Sequence, residues 1–175
     1  TDDSSPRVRQ SAARALGSLL APGDLDVLTA IVDDTGEWGE VRAAAAHALG
    51  RMDAMAAAPT LVAHLGDAIP QVRAACAAAL AEAPSDEAAG ALAQVAEDAS
   101  ELSSVRVAAV QALGALGDVG ESALLRLAES DIGALREAAV TALVGIDSPT
   151  AAAALAGIAA STAEPRTLRA IAASE

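Results

Sequence analysis

Apolar positions recur along this chain at two nested intervals. Within one stretch, Val41, Ala45, Ala48, Leu49 and Met52 stand at i, i+4, i+7, i+8 and i+11, the spacing that lays a single stripe along a helix. The whole stretch, VRAAAAHALG at 41–50, then returns: VRQSAARALG at 8–17, VRAACAAALA at 72–81, VRVAAVQALG at 105–114 and LREAAVTALV at 135–144. A further copy opens at Leu168-Arg169-Ala170. The arginines Arg9, Arg42, Arg73, Arg106, Arg136 and Arg169 lie 33, 31, 33, 30 and 33 residues apart, and a leucine follows each of the first five by seven residues. A fixed period of this size marks a solenoid, in which each unit buries its apolar stripe only against its neighbours.

A second, shorter apolar run lies between the copies, centred on Leu28-Ile31, Leu61-Leu65, Leu92-Val95, Leu124-Leu127 and Leu155-Ile158. Pro22-Gly23, Pro84, Gly117, Gly145 and Pro149 punctuate the chain between runs, and Asp24, Asp53, Asp86, Asp118 and Asp147 precede the short runs, where a carboxylate can cap free amides. The pattern predicts repeat-arginine helices near 5–20, 38–52, 69–82, 102–116, 133–146 and 165–173, alternating with short helices. Brief connections make such neighbours antiparallel pairs. The expectation is one repeat array over 1–175, a piece of a longer chain, because neither end shows the polar capping face of a terminal repeat.

Composition sharpens this to all-α. Alanine fills 50 of the 175 positions, aromatics only 1%, and alanine is the residue that loses least on entering a helix. The net charge is −13 from 24 acids and 11 bases, every base being arginine. That balance disfavours phosphate backbones and anionic membranes as partners, and it suits either plain solubility or a basic partner surface. Cys76, the single cysteine, stands in register with Ala12, Ala45, Ala109 and Ala139 and reads as a buried filler. The opening Thr1-Asp2-Asp3-Ser4-Ser5 lacks the basic-then-apolar run of a leader, so a cytoplasmic location is the expectation.

The motif Val-Arg-x-x-Ala-x-x-x-Leu-Gly, with an Asp ahead of it and a Leu-rich helix after it, resembles HEAT repeats. It is most similar to the HEAT-like subtype named after the phycobilisome lyases. The resemblance spans about five and a half units and implies a right-handed α-α superhelix of about five to six helix pairs. It also implies that the Val-Arg helices line the concave side and the short helices the convex side. Function is not implied, since such arrays serve many roles.

The repeat arginine enters early in its helix, where the dipole disfavours a cation. Each is preceded by an acid, Asp34 before Arg42, Asp67 before Arg73, Asp98 before Arg106 and Asp131 before Arg136. A structural ladder of Arg9, Arg42, Arg73, Arg106 and Arg136 with those acids, running between neighbouring turns, would hold the stacking register. Trp38 replaces the apolar residue, Ile69, Leu102 or Ile132, that other copies carry four positions before the arginine, Ser5 being the exception, and is expected to pack where the chain enters its helix. His47 and His64 lack metal-ligand spacing, and no catalytic set is apparent, so no catalytic, cofactor-binding or metal-binding residue is assigned.

Positions that vary between copies carry more information. Five residues after the arginines stand Arg14, His47, Ala78, Gln111 and Thr141; one residue after them stand Gln10, Ala43, Ala74, Val107 and Glu137. On the orientation the resemblance implies, these rows face the concave side. Arg14, His47, Val107, Gln111, Glu137 and Thr141 are therefore the candidate partner contacts. The expected function is a non-catalytic scaffold for a protein or peptide. The alternatives are a bilin lyase-like or accessory protein, for which Arg14, Arg51 and His47 could hold propionates, and a structural spacer.

Overall fold

The computed structural model describes residues 5–19 and 24–174, the side chains of 16–19 excepted, and every α-helix or turn among them follows the two-interval pattern. The repeat-arginine helices are α1 (Pro6–Leu19), the first part of α3 (Gly39–Ala63), α4 (Pro70–Ala79), α6 (Ser103–Ala115), α8 (Gly133–Val144) and α10 (Arg166–Ala172). The short helices are α2 (Asp24–Asp33), the second part of α3, α5 (Asp86–Glu97), α7 (Asp118–Leu127) and α9 (Pro149–Ala160). Pro22 and Gly23 lie outside the described residues, as does the Leu16 side chain.

The expected aspartate caps resolve into three arrangements. Asp53 breaks α3 in two: its backbone leaves the helix (φ −160°, ψ 83°) and its carboxylate accepts from the Ala56 amide at 3.0 Å, capping the helix that follows. Asp86 and Asp118 are instead the first residues of their helices, behind Ser85 and Gly117, while Asp147 precedes the capping Ser148. The two serines accept from amides of the first turn, a role serine fills as well as aspartate does. Gly117 takes φ 62°, a conformation that costs a residue with a Cβ.

The chain forms two compact units, 1–84 and 85–175. In the first, α1, the first part of α3, and α4 pack side by side, with α2 against α3. In the second, α6, α8 and α10 form one row and α5, α7 and α9 another. The core of each unit lies between its rows. Leu49, Leu113 and Leu143 of the repeat-arginine helices and Leu80 at the C-cap of α4 are fully buried, as are Leu28, Leu61, Leu92, Leu124 and Leu155 of the short ones. Each such leucine contributes roughly 1.5–3 kcal/mol by leaving water. Small residues set the spacing between helices of one row. A Cβ on Gly50 would fall 2.9 Å from Ala79 Cα, and one on Gly114 2.8 Å from Ala142 Cβ. Close packing against the neighbouring helix explains both glycines.

Candidate binding face

Four of the repeat arginines, Arg42, Arg73, Arg106 and Arg136, donate to backbone carbonyls. Arg42, 2% exposed, donates from Nε to the Val32 carbonyl at 2.8 Å; Arg106, 7% exposed, donates likewise to Ala96 at 2.8 Å. Val32 and Ala96 are each the penultimate residue of a short helix, where the dipole is negative and carbonyls lack partners. The unfavourable N-terminal placement of the arginine is thus offset by the C-terminus of the preceding helix. Arg73 and Arg136 use loop carbonyls, those of Asp67 at 2.6 Å and Ser130 at 3.0 Å.

The acid partners come from the following turn. Arg9 reaches Glu37 at 2.6 and 2.8 Å, Arg42 reaches Asp67 at 3.2 and 2.5 Å, and Arg136 approaches Glu164 at 3.6 Å. The acids that precede the arginines serve their own loops instead. Asp34 accepts from the Gly36 amide at 2.9 Å, Asp98 accepts from the Ser100 amide and hydroxyl at 2.8 and 2.7 Å, and Asp131 is exposed. Asp67 does both, since its Oδ1 also accepts from the Ile69 amide at 2.8 Å. Burial pushes the Asp67 carboxyl up, but the Arg42 hydrogen bond, the Ile69 amide, the Arg42 charge and the His64 ring outweigh it and hold the group below the usual carboxylate range. The Arg9 hydrogen bond lowers Glu37 in the same way.

His64 completes this junction. Its Nε2 lies 2.7 Å from Asp33 and its Nδ1 3.3 Å from Asp67 and 3.4 Å from the Arg42 guanidinium. Spacing on an α-helical face does not reveal this. A 3₁₀ turn over His64–Gly66 brings residues i and i+3 onto one side, placing His64 beside Asp67. Among the described residues no group of three or more His, Cys, Asp or Glu side chains could hold a metal ion. Cys76 is fully buried, and its thiol is pushed up to about 12 by burial and the Asp67 charge, with the Arg42 charge opposing.

The varying rows meet in two troughs, one in each unit. In the first unit the trough holds about 410 Å³. Its floor is Ala43, Ala44, Ala74 and Ala75, and its walls carry Gln10, Arg14, Glu40, His47 and Gln71 from α1, α3 and α4. The Arg51 guanidinium donates to the Arg14 carbonyl at 3.3 Å. Partial burial lowers the His47 pKa, and the charges of Arg51 and Arg14 lower it further. In the second unit a trough of about 550 Å³ runs between α6 and α8. It gathers Val107, Gln111, Glu137 and Thr141 around Ala134, Ala138 and Ala142. The Thr141 hydroxyl donates to the Glu137 carbonyl at 2.8 Å. All six candidate contacts therefore line a trough, two in one unit and four in the other.

Trp38 does not pack as its register suggests. It stands at the N-cap of α3 with 60% of its surface exposed; of its counterparts, Leu102 and Ile132 are 51% and 41% exposed, while Ile69 is half-buried beside Gly39. With Pro6 and Arg7 it borders a hollow of about 220 Å³ that shares Gln10 and Glu40 with the first trough. The hollow continues that trough towards the start of α3.

Helix pairs entered at a repeat arginine, stacked in rows within each unit, define an α-helical repeat protein. The model of HEAT repeats matches residues 37–113 and 91–174, and the chain belongs to the HEAT-repeat family. No curated protein matches it in sequence. Among solved structures it is similar to the complex of CpcE and CpcF of phycocyanin lyase from Nostoc sp. PCC7120, with a TM-score of 0.67 and 24% identity over 98% of this chain and 71% of that one. It is also similar to an engineered protein, with a TM-score of 0.61 and 23% identity over 98% of this chain and 90% of that one. These likenesses establish a shared fold. No helix among the described residues is long and apolar enough to cross a membrane.

Proposed function

We propose that the chain is a non-catalytic scaffold that binds a protein or peptide along the face of its repeat-arginine helices. The observation that carries this reading is the pair of open troughs. Each has a floor of small apolar side chains and a rim of the residues that differ from copy to copy. An apolar strip with a polar rim is the anatomy of a protein-binding surface. Its preformed helices limit the ordering cost of binding. The likeness to a structure that is itself a complex of two proteins supports protein as the class of partner. A non-basic chain of charge −13 supports neither nucleic acid nor anionic lipid.

Affinity capture from native extract, wild type beside a His47→Glu/Gln111→Glu double variant, tests the proposal. One partner retained by the wild type and lost by the variant, with an unchanged circular dichroism spectrum, is the expected result. Capture of the same set by both proteins removes the troughs from consideration. A bound tetrapyrrole would colour a bilin-soaked sample, and a colourless one separates the scaffold from the lyase-like alternative.

A further inference from the structure

The first trough is polarised along its length. At one end Trp38 stands exposed over the hollow it forms with Pro6, and at the other end Arg14, Arg51 and His47 converge. Two arginines beside a histidine stand out in a chain of net charge −13. Between the two ends lies the alanine floor, smooth enough for a backbone to approach closely. Of the described residues lining this trough, Glu40 alone carries a carboxylate, and it stands seven positions before His47, two helical turns away. Trp38 is the N-cap of the helix that carries His47 nine residues later, an axial rise of about 14 Å at 1.5 Å per residue. An extended chain covers that distance in about four residues.

From this geometry we infer that the trough of the first unit takes an extended, acidic segment of a partner protein, its carboxylate seated among Arg14, His47 and Arg51 and an apolar side chain about four residues away resting on Trp38. The inference rests on the scaffold reading and names the chemistry of the partner for one of the two troughs. The carboxylate fits the cationic end because it pairs with the Arg14 and Arg51 guanidiniums, whose positive charge otherwise disfavours protonation of the His47 ring. The apolar residue fits the other end because an exposed tryptophan offers a large rigid surface at low entropic cost. Exposure of both anchors makes the charged half sensitive to salt.

The test is an NMR titration with N-acetylated, C-amidated serine heptapeptides that carry one leucine and one glutamate about four residues apart, in both orders. Control peptides replace glutamate by glutamine or leucine by serine. Saturable shifts of the His47 ring and the Trp38 indole are expected with at least one order. Each replacement should weaken binding by about fivefold or more, and the His47 pKa should rise when the glutamate peptide binds. Arg51→Gln should abolish the preference for glutamate and Trp38→Ala the preference for leucine. Both side chains are exposed, and circular dichroism checks that the fold is kept. If the glutamine peptide binds as tightly, the acidic partner is wrong while the scaffold reading stands. If glutarate alone shifts His47 as strongly, the site takes free carboxylates and the segment is wrong. If no peptide perturbs either residue, the inference fails, and the capture experiment decides the scaffold reading separately.

Discussion

The Arg42 guanidinium grips the Asp67 carboxylate through two hydrogen bonds across 25 residues of sequence, with the two side chains only 2% and 4% exposed. The same guanidinium holds the end of α2 through Val32, and the same carboxylate holds the start of α4 through Ile69. One buried pair thus ties three elements of the first unit. Removing one member of a buried pair leaves the other charged and unpaired. Arg42→Ala and Asp67→Asn should each lower unfolding stability by about 3–5 kcal/mol. The double variant should lose less than the sum, because the second change removes a charge the first has orphaned. Arg126→Ala, which breaks the exposed pair with Glu97, should cost no more than about 1 kcal/mol. Urea denaturation of the four variants measures all of this.

Acid should act on the same junction. Asp67 and Glu37 both titrate below their ordinary values of 3.8 and 4.5 when folded. A group with a depressed folded pKa binds fewer protons folded than unfolded, so its stabilisation is complete above the unfolded pKa and disappears as pH falls through the folded one. Stability should therefore decline as pH drops below those ordinary values. Asp67→Asn should flatten that part of the profile, and Arg9→Ala should flatten the part due to Glu37. Thermal melts across the acid range give the comparison.

Glycine at two helical positions should respond oppositely to alanine. A methyl group on Gly114 has to displace Ala142, whereas one on Gly90 of α5 meets nothing within 4 Å. Gly114→Ala should destabilise by about 1–3 kcal/mol through overpacking. Gly90→Ala should stabilise by roughly 0.5–1 kcal/mol, because glycine inside a helix loses more backbone entropy. Denaturant midpoints report both.

Cys76 should be silent in the folded protein. It is fully buried with its thiol pushed up to about 12, so little thiolate exists and none is reachable. Iodoacetamide near neutral pH should label it only at the rate at which the first unit opens. Fast labelling of native protein would contradict this burial.

The architecture was legible in the sequence because period, residue type and helical spacing coincide: each repeat arginine brings its leucine, its small residue and its apolar stripe with it. The pairs Gln111 with Thr141 and Val107 with Glu137 could be set side by side for the same reason, since a fixed register aligns corresponding residues of adjacent helices, while the face they share came from the family resemblance. What the sequence obscured depends on backbone. The carbonyls of Val32 and Ala96 carry no residue-type signal, whereas the nearer acids Asp34 and Asp98 do, although they cap their own loops. His64 was missed because a 3₁₀ turn, and not an α-helical face, brings it to Asp67. Trp38 was misplaced because an apolar residue at an N-cap can lie along the surface, and its counterparts Leu102 and Ile132 do so too.

The most direct test of the scaffold reading is site-specific photo-crosslinking in native extract. A benzophenone side chain is placed in turn at His47 and Gln111, one in each trough, and at Met55 and Gln94, which are exposed away from the troughs on the second part of α3 and on α5. The reading predicts that His47 and Gln111 join to the same protein and that Met55 and Gln94 do not. Crosslinks to one partner from Met55 and Gln94, with none from the troughs, would contradict it.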